Sequence, residues 1–327
     1  MSRTRRAEQT PRRAVPAPHR TRPASLLVEE VSGSALLQDL GRGHVASGVP
    51  VAGAFDRRAH RLALDLVGTT SREATLELWG SMTVRADGSA LVAATGAATV
   101  ELQRALGWPA EDSDESRSEW EPAPSWTALD LGPGDSLRIT TTGRAYLAAW
   151  GGFPGRTVLG SRSTCLLGPL GPDPVQRGDT LPVGDARLGD PRAGDYIRMP
   201  ARAGAHRVVV GPHLMLGQVG ADVVETSRIG VRLRPRHSAA ASSTPSGLPS
   251  IGVLPGTIQV LPSGDWMVLG PDAGTMGGYP VVGVLAGDEL DRWAHVQPGD
   301  VIGLVGVAAG SVAIPPLEQV VHVGHIG

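Results

Sequence analysis

Lysine and asparagine are absent from all 327 residues, so every one of the 30 basic side chains is an arginine. The first absence excludes a Walker-type phosphate loop, which needs its lysine to reach the phosphates. It also excludes a Schiff-base lysine and a covalently attached biotin, so any biotin involved must ride on another chain. A single cysteine, Cys165, leaves no internal disulfide and no zinc cage built from cysteines. Aromatics are scarce as well, with seven Trp, three Tyr and two Phe, so Val, Leu, Ile and Ala must fill the core. Long apolar runs are missing too. The stretch Val301 to Pro316 is cut by glycines and closed by two prolines, too short to span a bilayer. After Arg22 the first apolar run is only Leu26-Leu27-Val28, far short of a secretory signal. A soluble, cytoplasmic protein without a membrane partner is expected.

What is present is punctuation: 44 Gly and 27 Pro break the chain into short pieces. Net charge is −2, unevenly placed. Residues 1–24 carry seven arginines against Glu8, a net of +6, which leaves −8 for the rest. That proline- and arginine-rich arm reads as a disordered, solvated tail with no nucleic-acid partner.

From Ser25 onward, runs such as 89–95, 126–131, 145–149, 207–210, 257–261 and 266–269 have the length and residue types of β-strands. Gly, Pro and Asp separate them, the style of an all-β barrel or sandwich. One segment differs. Between Asp56 and Gly68 the apolar positions Ala59, Leu62, Ala63, Leu66 and Val67 follow the i, i+3, i+4, i+7, i+8 stripe of a helix, with Asp56 as N-cap and Gly68 as the residue past its end.

A Pro-Gly-Asp turn leading into an apolar run begins at Pro133 and again at Pro298, about half the chain apart, which suggests two related halves. We divide the chain into the basic arm 1–24, an N-terminal domain 25–195 and a C-terminal domain 196–327. Glu111 to Glu121, with six acids against Arg117, reads as a solvated loop, and His237 to Ser250 as a flexible one.

Several turns carry chemistry. Gln38-Asp39-Leu40-Gly41-Arg42 puts a guanidinium on a glycine turn, where it can grip an anion or pin the turn to an aspartate. Gly160-Ser161-Arg162-Ser163-Thr164 sets an arginine among three hydroxyls, a combination suited to an oxyanion. Thr275-Met276-Gly277-Gly278-Tyr279-Pro280 lets backbone approach a ligand closely beneath one aromatic ring. His322 and His325 lack a third partner nearby, so no metal site is assigned, and Cys165 reads as a small buried hydrophobe.

These pieces, in this order, resemble the family that includes one subunit of bacterial ATP-dependent 5-oxoprolinase, allophanate hydrolase subunit 2, biotin-dependent carboxyltransferases and a kinase-inhibitor antagonist. The resemblance runs from about Leu27 to Val307. It rests on the 38–42 turn, Gly48-Val49-Pro50, Gly53-Ala54-Phe55-Asp56, Leu66-Val67-Gly68, Thr95-Gly96-Ala97, Tyr146-Leu147-Ala148, Gly151-Gly152 and Leu159 to Thr164. In the second half it rests on Arg228-Ile229-Gly230, Pro255 to Gln259, Asp272, the Thr275–Pro280 run and Gln297 to Asp300. The chain departs from the family pattern at Leu64, Thr69 and Ser227, where asparagine is usual, and at Val281, where lysine is usual. Gly274, Met276 and Val231 also stand in place of other residues.

The resemblance implies a mainly β protein of tandem cyclophilin-like barrels with a few short helices. It implies one subunit of a complex that opens 5-oxoproline to L-glutamate at the expense of ATP and Mg, inactive alone. Its partners would be the first subunit and a lactam-utilisation subunit. Alternative activities within the family are the carboxyltransferase part of a urea carboxylase-like system and non-catalytic relief of a kinase inhibitor. On this resemblance Arg42, Arg162, Ser163, Thr164 and Arg228 are expected to be catalytic. Gln38, Asp39, Asp56, Gln259, Asp272, Thr275, Gly277, Gly278 and Tyr279 are expected to bind substrate or nucleotide.

Overall fold

The computed structural model describes residues 24–106, 117–198, 204–211, 216–236, 247–310 and 322–325. The basic arm and most of the two proposed loops lie outside them. The first half contributes β1 (Ser25–Gln38), α1 (Arg57–Leu66), β2 (Thr75–Ala86), β3 (Ala90–Gln103), β4 (Glu121–Ala123), β5 (Ala128–Leu131), β6 (Ser136–Ala149) and β7 (Thr180–Pro182). The second contributes β8 (Asp195–Arg198), β9 (His206–Val210), β10 (Gln218–Thr226), β11 (Gly230–Pro235), β12 (Ile251–Gly252), β13 (Thr257–Val260), β14 (Trp266–Leu269), β15 (Met276–Gly277), β16 (Val281–Leu285), α2 (Glu289–Trp293), β17 (Val301–Val307) and β18 (His322–His325). The expected strands are present, although 89–95 and 145–149 prove to be parts of longer ones.

In the first half the strands form one antiparallel sheet in the order β4-β3-β6-β2-β1-β7, with β5 also on β3. Its long central strands are not uniformly extended. Gly33 in β1 faces Gly80 in β2, both with positive φ (96° and 108°), and a Cβ on either would meet the other strand's carbonyl oxygen at 2.1 Å. Only glycine permits that approach, and it lets the paired strands bend together. One face buries Leu26, Val28, Leu76, Leu78, Val84, Val92, Leu137, Ile139 and Leu147. The predicted helical stripe of α1 packs against Ala93, Tyr146 and Ala148 of β3 and β6. Asp56 caps α1 by accepting from the Ala59 amide at 2.7 Å.

The second half is a closed barrel in the order β10-β11-β14-β13-β16-β9-β17. All its pairs are antiparallel except β9 with β17, which run parallel. Closure leaves no free edge among these strands. Its core gathers Val208, Val223, Leu233, Ile258, Val268, Trp293 and Leu304, together with Phe55 from the first half. No helix among the described residues is long and apolar enough to cross a membrane.

The repeated Pro-Gly-Asp turns match bond for bond. Gly134 and Gly299 have φ of 86° and 93°. Asp135 accepts from the Gly132 amide and Asp300 from the Gln297 amide, each at 2.8 Å. The Gly134 and Gly299 amides reach back to Ala86 and Val223, again at 2.8 Å.

Candidate functional site

The polar residues gather in three places. The first is a buried ion cluster where the halves meet. Glu77 lies on β2 in the run Thr75-Leu76-Glu77-Leu78, and only 4% of its surface is exposed. Its Oε2 accepts from the Phe55 amide and the Tyr146 hydroxyl, each at 2.9 Å. Its Oε1 accepts from Nη1 of Arg228, which comes from the second half. Arg228 also forks onto Asp272, with Nε on Oδ2 at 3.0 Å and Nη2 on Oδ1 at 2.9 Å, while Nη2 reaches the Gly53 carbonyl at 2.8 Å. Arg144 completes the cluster. Its guanidinium carbon lies 4.5 Å from the ring centres of both Phe55 and Trp79, and its Nε is 3.4 Å from Glu77. The geometry at Nε is poor for a hydrogen bond, so stacking, charge and one long bond from Nη1 to the Ala294 carbonyl at 3.4 Å hold this arginine.

Two guanidinium groups thus face two carboxylates in a space closed to water. Burial alone would raise the Glu77 pKa, but the Arg228 and Arg144 charges outweigh it and hold the carboxyl below its ordinary range. Burial would also strip the proton from Arg228, and Glu77 with Asp272 reverses that, pushing its pKa up. Burial and then the Glu77 charge raise Tyr146 well above the usual phenol value, so it stays a hydrogen-bond donor. Asp56 joins the same junction through its backbone amide on the Tyr146 oxygen at 2.7 Å and its Oδ2 on His295 Nε2 at 2.8 Å.

The second place is the turn after β1. Asp39, 6% exposed, accepts at Oδ1 from the Gly41 amide at 2.8 Å, Ser161 Oγ at 2.6 Å and Ser163 Oγ at 2.5 Å. Its Oδ2 accepts from the Arg162 amide at 2.7 Å. Burial would raise this carboxyl; the Ser161 and Ser163 hydroxyls and the two amides lower it instead. Arg42 donates Nε to the Val158 carbonyl at 3.1 Å and Nη2 to the Ser163 carbonyl at 2.5 Å, and its buried Nη1 has no partner among the described residues. Gln38 donates to the Thr164 carbonyl at 2.9 Å, and Thr164 Oγ1 to that of Pro172 at 2.9 Å. Arg162 itself points outward, 28% exposed, with Nη1 3.2 Å from Glu73.

Two non-glycine residues here, Ala52 and Leu159, hold left-handed φ of 52° and 50°. Such strain, of order 1–3 kcal/mol each, collects at functional surfaces. The turn is continuous with the ion cluster: the Leu166 amide donates to Asp272 Oδ2 at 3.2 Å, and the Ala52 amide to the Pro271 carbonyl at 2.8 Å. Burial and then the Asp272 charge push the Cys165 thiol up, so it is kept protonated.

The third place lies on the barrel. Gln259 on β13 is buried, and its Nε2 has no partner among the described residues. A Cβ on Gly277 would come within 2.3 Å of that nitrogen, so glycine is what admits the amide there. Thr275 is buried and its carbonyl accepts from the Val253 amide at 2.9 Å, while Gly278 and Tyr279 follow on the surface side, Tyr279 46% exposed.

The expected residues therefore divide. Arg228, Asp272 and Asp56 sit in the ion cluster; Gln38, Asp39, Arg42, Arg162, Ser163 and Thr164 build the turn; Gln259, Thr275, Gly277, Gly278 and Tyr279 lie on the barrel strip. Sequence reasoning missed Glu77, Arg144 and Glu73, and gave Tyr146 no role beyond its place in the resemblance. The usable signal was a lone acid between Leu76 and Leu78 and an arginine just before Ala145-Tyr146-Leu147-Ala148. No group of three or more His, Cys, Asp or Glu among the described residues is placed to hold a metal.

A β-sheet half and a β-barrel half, joined through a buried four-charge cluster beside an arginine-bearing turn, define a two-part β domain. The chain belongs to the carboxyltransferase domain family, subdomains A and B, whose profile matches residues 47–305. It is similar to a 5-oxoprolinase subunit of Escherichia coli, 29% identical over 289 residues that cover 82% of this chain and 87% of that one. The crystal structure of TTHA0988 aligns with TM-score 0.70 at 28% identity, over 92% of this chain and 60% of that one; the chain thus spans about three fifths of that protein. Kluyveromyces lactis urea carboxylase, 23% identical, shares the fold with TM-score 0.72 over 89% of this chain and 28% of that one.

Proposed function

We propose that this chain is a subunit of an ATP-dependent 5-oxoprolinase complex that opens 5-oxoproline to L-glutamate. The observation that carries the reading is its 29% identity to a bacterial 5-oxoprolinase subunit along 82% of its length. Its partners on this reading are the first subunit and a lactam-utilisation subunit, in the cytoplasm, with ATP and Mg bound in the complex.

A lactam is a resonance-stabilised amide and a poor electrophile. ATP supplies activation of the lactam oxygen, and the protein's task is then to hold negative charge and orient the ring. Arg162 is suited to that task. It is partly exposed and always charged, with Nη1 3.2 Å from Glu73. Arg228 and Arg42 support it from within rather than by reaching outward, since their donors are mostly engaged by Glu77, Asp272 and backbone carbonyls. Ser163 and Thr164 likewise spend their hydroxyls on Asp39 and Pro172.

Co-expression with the first and lactam-utilisation subunits from the same genome, followed by an assay of 5-oxoproline-dependent ATP hydrolysis, tests the reading. Activity that requires all three chains supports it. A cleanly assembled complex without that activity overturns it, and transfer of a carboxyl group from biotin carried on another chain would replace it with the carboxyltransferase reading.

A further inference from the structure

We propose that Asp39 is a positioning residue, which contacts no ligand and fixes the turn that presents Arg162. This rests on the reading above that Arg162 serves the reaction. The carboxylate has no capacity left for a substrate. Its oxygens receive four donors, all from its own chain, and the group is buried. Three of those donors come from residues 161–163, more than 120 positions away in sequence. The Asp39 amide returns a bond to Ser163 Oγ at 3.0 Å, so the two segments are laced from both sides.

The turn needs such a hold. Leu159 and Gly160 both adopt left-handed φ, 50° and 78°, and a leucine does not keep that conformation unaided. Ser161 and Ser163 face inward to Asp39, which leaves Arg162 between them as the side chain directed away. The bond from the Arg162 amide to Oδ2 fixes the backbone at the residue itself, and Glu73 steadies the far end of the side chain. Asp39 also has no guanidinium bonded to it. Its charge is met by neutral hydroxyls and amides, and its negative potential favours the charged form of Arg42 against burial.

The test uses Asp39→Asn, which keeps the volume and replaces one acceptor oxygen with a donor, and Ser161→Ala, which removes one hydroxyl. Hydrogen exchange on the full chain reads positioning without any assay of activity. Amides of residues 159–164 should exchange about tenfold faster in Asp39→Asn and less so in Ser161→Ala, with β2 and β6 unchanged; unaltered exchange in the turn overturns the proposal. In the assembled complex, Asp39→Asn and Arg162→Ala should each lower kcat/KM by about tenfold or more, the worth of one charged hydrogen bond. The double variant should be no worse than Arg162→Ala alone. Losses that multiply show Asp39 acting independently of Arg162 and overturn the proposal. A wild-type complex with no activity counts against the functional reading alone, and the exchange measurement then decides for Asp39.

Discussion

Glu77 and Asp39 are both buried carboxylates, both held below their ordinary pKa, and they are satisfied in opposite ways. Glu77 faces two arginines, one from each half of the chain, and its negative charge is neutralised in place. Asp39 accepts from hydroxyls and amides of the first half alone, and no guanidinium is hydrogen-bonded to it. The first arrangement welds two bodies. The second shapes a surface turn and leaves a field for the arginines beside it. Buried charge is expensive in either setting, and the partners chosen to offset it decide whether the result is a lock or a presentation device.

The sharpest way to break the contrast is Glu77→Ala. It leaves Arg228 with Asp272 alone and removes the carboxylate beside Arg144 in a dry junction, and urea denaturation should show a loss of about 3–5 kcal/mol. Arg228→Ala should cost nearly as much, because Glu77 and Asp272 are then left facing each other. If either variant proves as stable as the parent, the junction is wetter than its burial indicates. Arg162→Ala should do the reverse, shifting stability by no more than about 1 kcal/mol, as a partly exposed pair does, while the complex loses activity. A drop of several degrees in Tm would make it a brace like Arg228.

Acid offers a finer comparison. Burial would raise the Glu289 pKa, but bonds from His206 and Arg207 and the Arg292 charge bring it from 4.5 down to about 2. A carboxyl depressed in the folded state stabilises fully above its unfolded pKa, and that contribution is lost as pH falls from 4.5 toward about 2. Acid unfolding followed by fluorescence of Trp293, which packs edge-on to His206, should lose part of its pH dependence in that range in Glu289→Gln. The last comparison concerns His60. Burial lowers its pKa from 6.5 to about 4, so the folded protein keeps it neutral and loses stability as pH drops through that interval. Its ring resonances should titrate near 4 by NMR; titration near 6.5 would mean that water reaches the ring.

The architecture was legible because its signals are local. Asp56, the stripe through Val67 and Gly68 identify a helix without any knowledge of its neighbours, and Pro133 and Pro298 announce their turns in the same way. The 38–42 and 160–164 turns were recognisable as special for a similar reason, through glycines that permit left-handed φ beside polar residues. What escaped was pairing at a distance. Glu77 and Arg228 are 151 positions apart, and nothing in either local sequence marks one as the other's counter-ion. The same limit hid that Ser161 and Ser163 face inward: a hydroxyl beside an arginine reads as ligand-binding until the carboxylate that consumes it is seen.

The parallel pairing of β9 with β17 sets a timetable for synthesis. As the chain leaves the ribosome, every strand of the N-terminal sheet has emerged by Pro182, whereas the C-terminal ring stays open until residues 301–307 appear. Until then β9 and β10 each lack the neighbour that β17 supplies, and Ile302 and Leu304 are missing from the interior they help to seal. Phe55, made far earlier, has to wait for that interior before its ring is covered. A nascent chain arrested just short of Val301 would therefore carry a finished first half attached to an unclosed, adhesive second one, which makes this interval of translation the point at which a chaperone has most to protect.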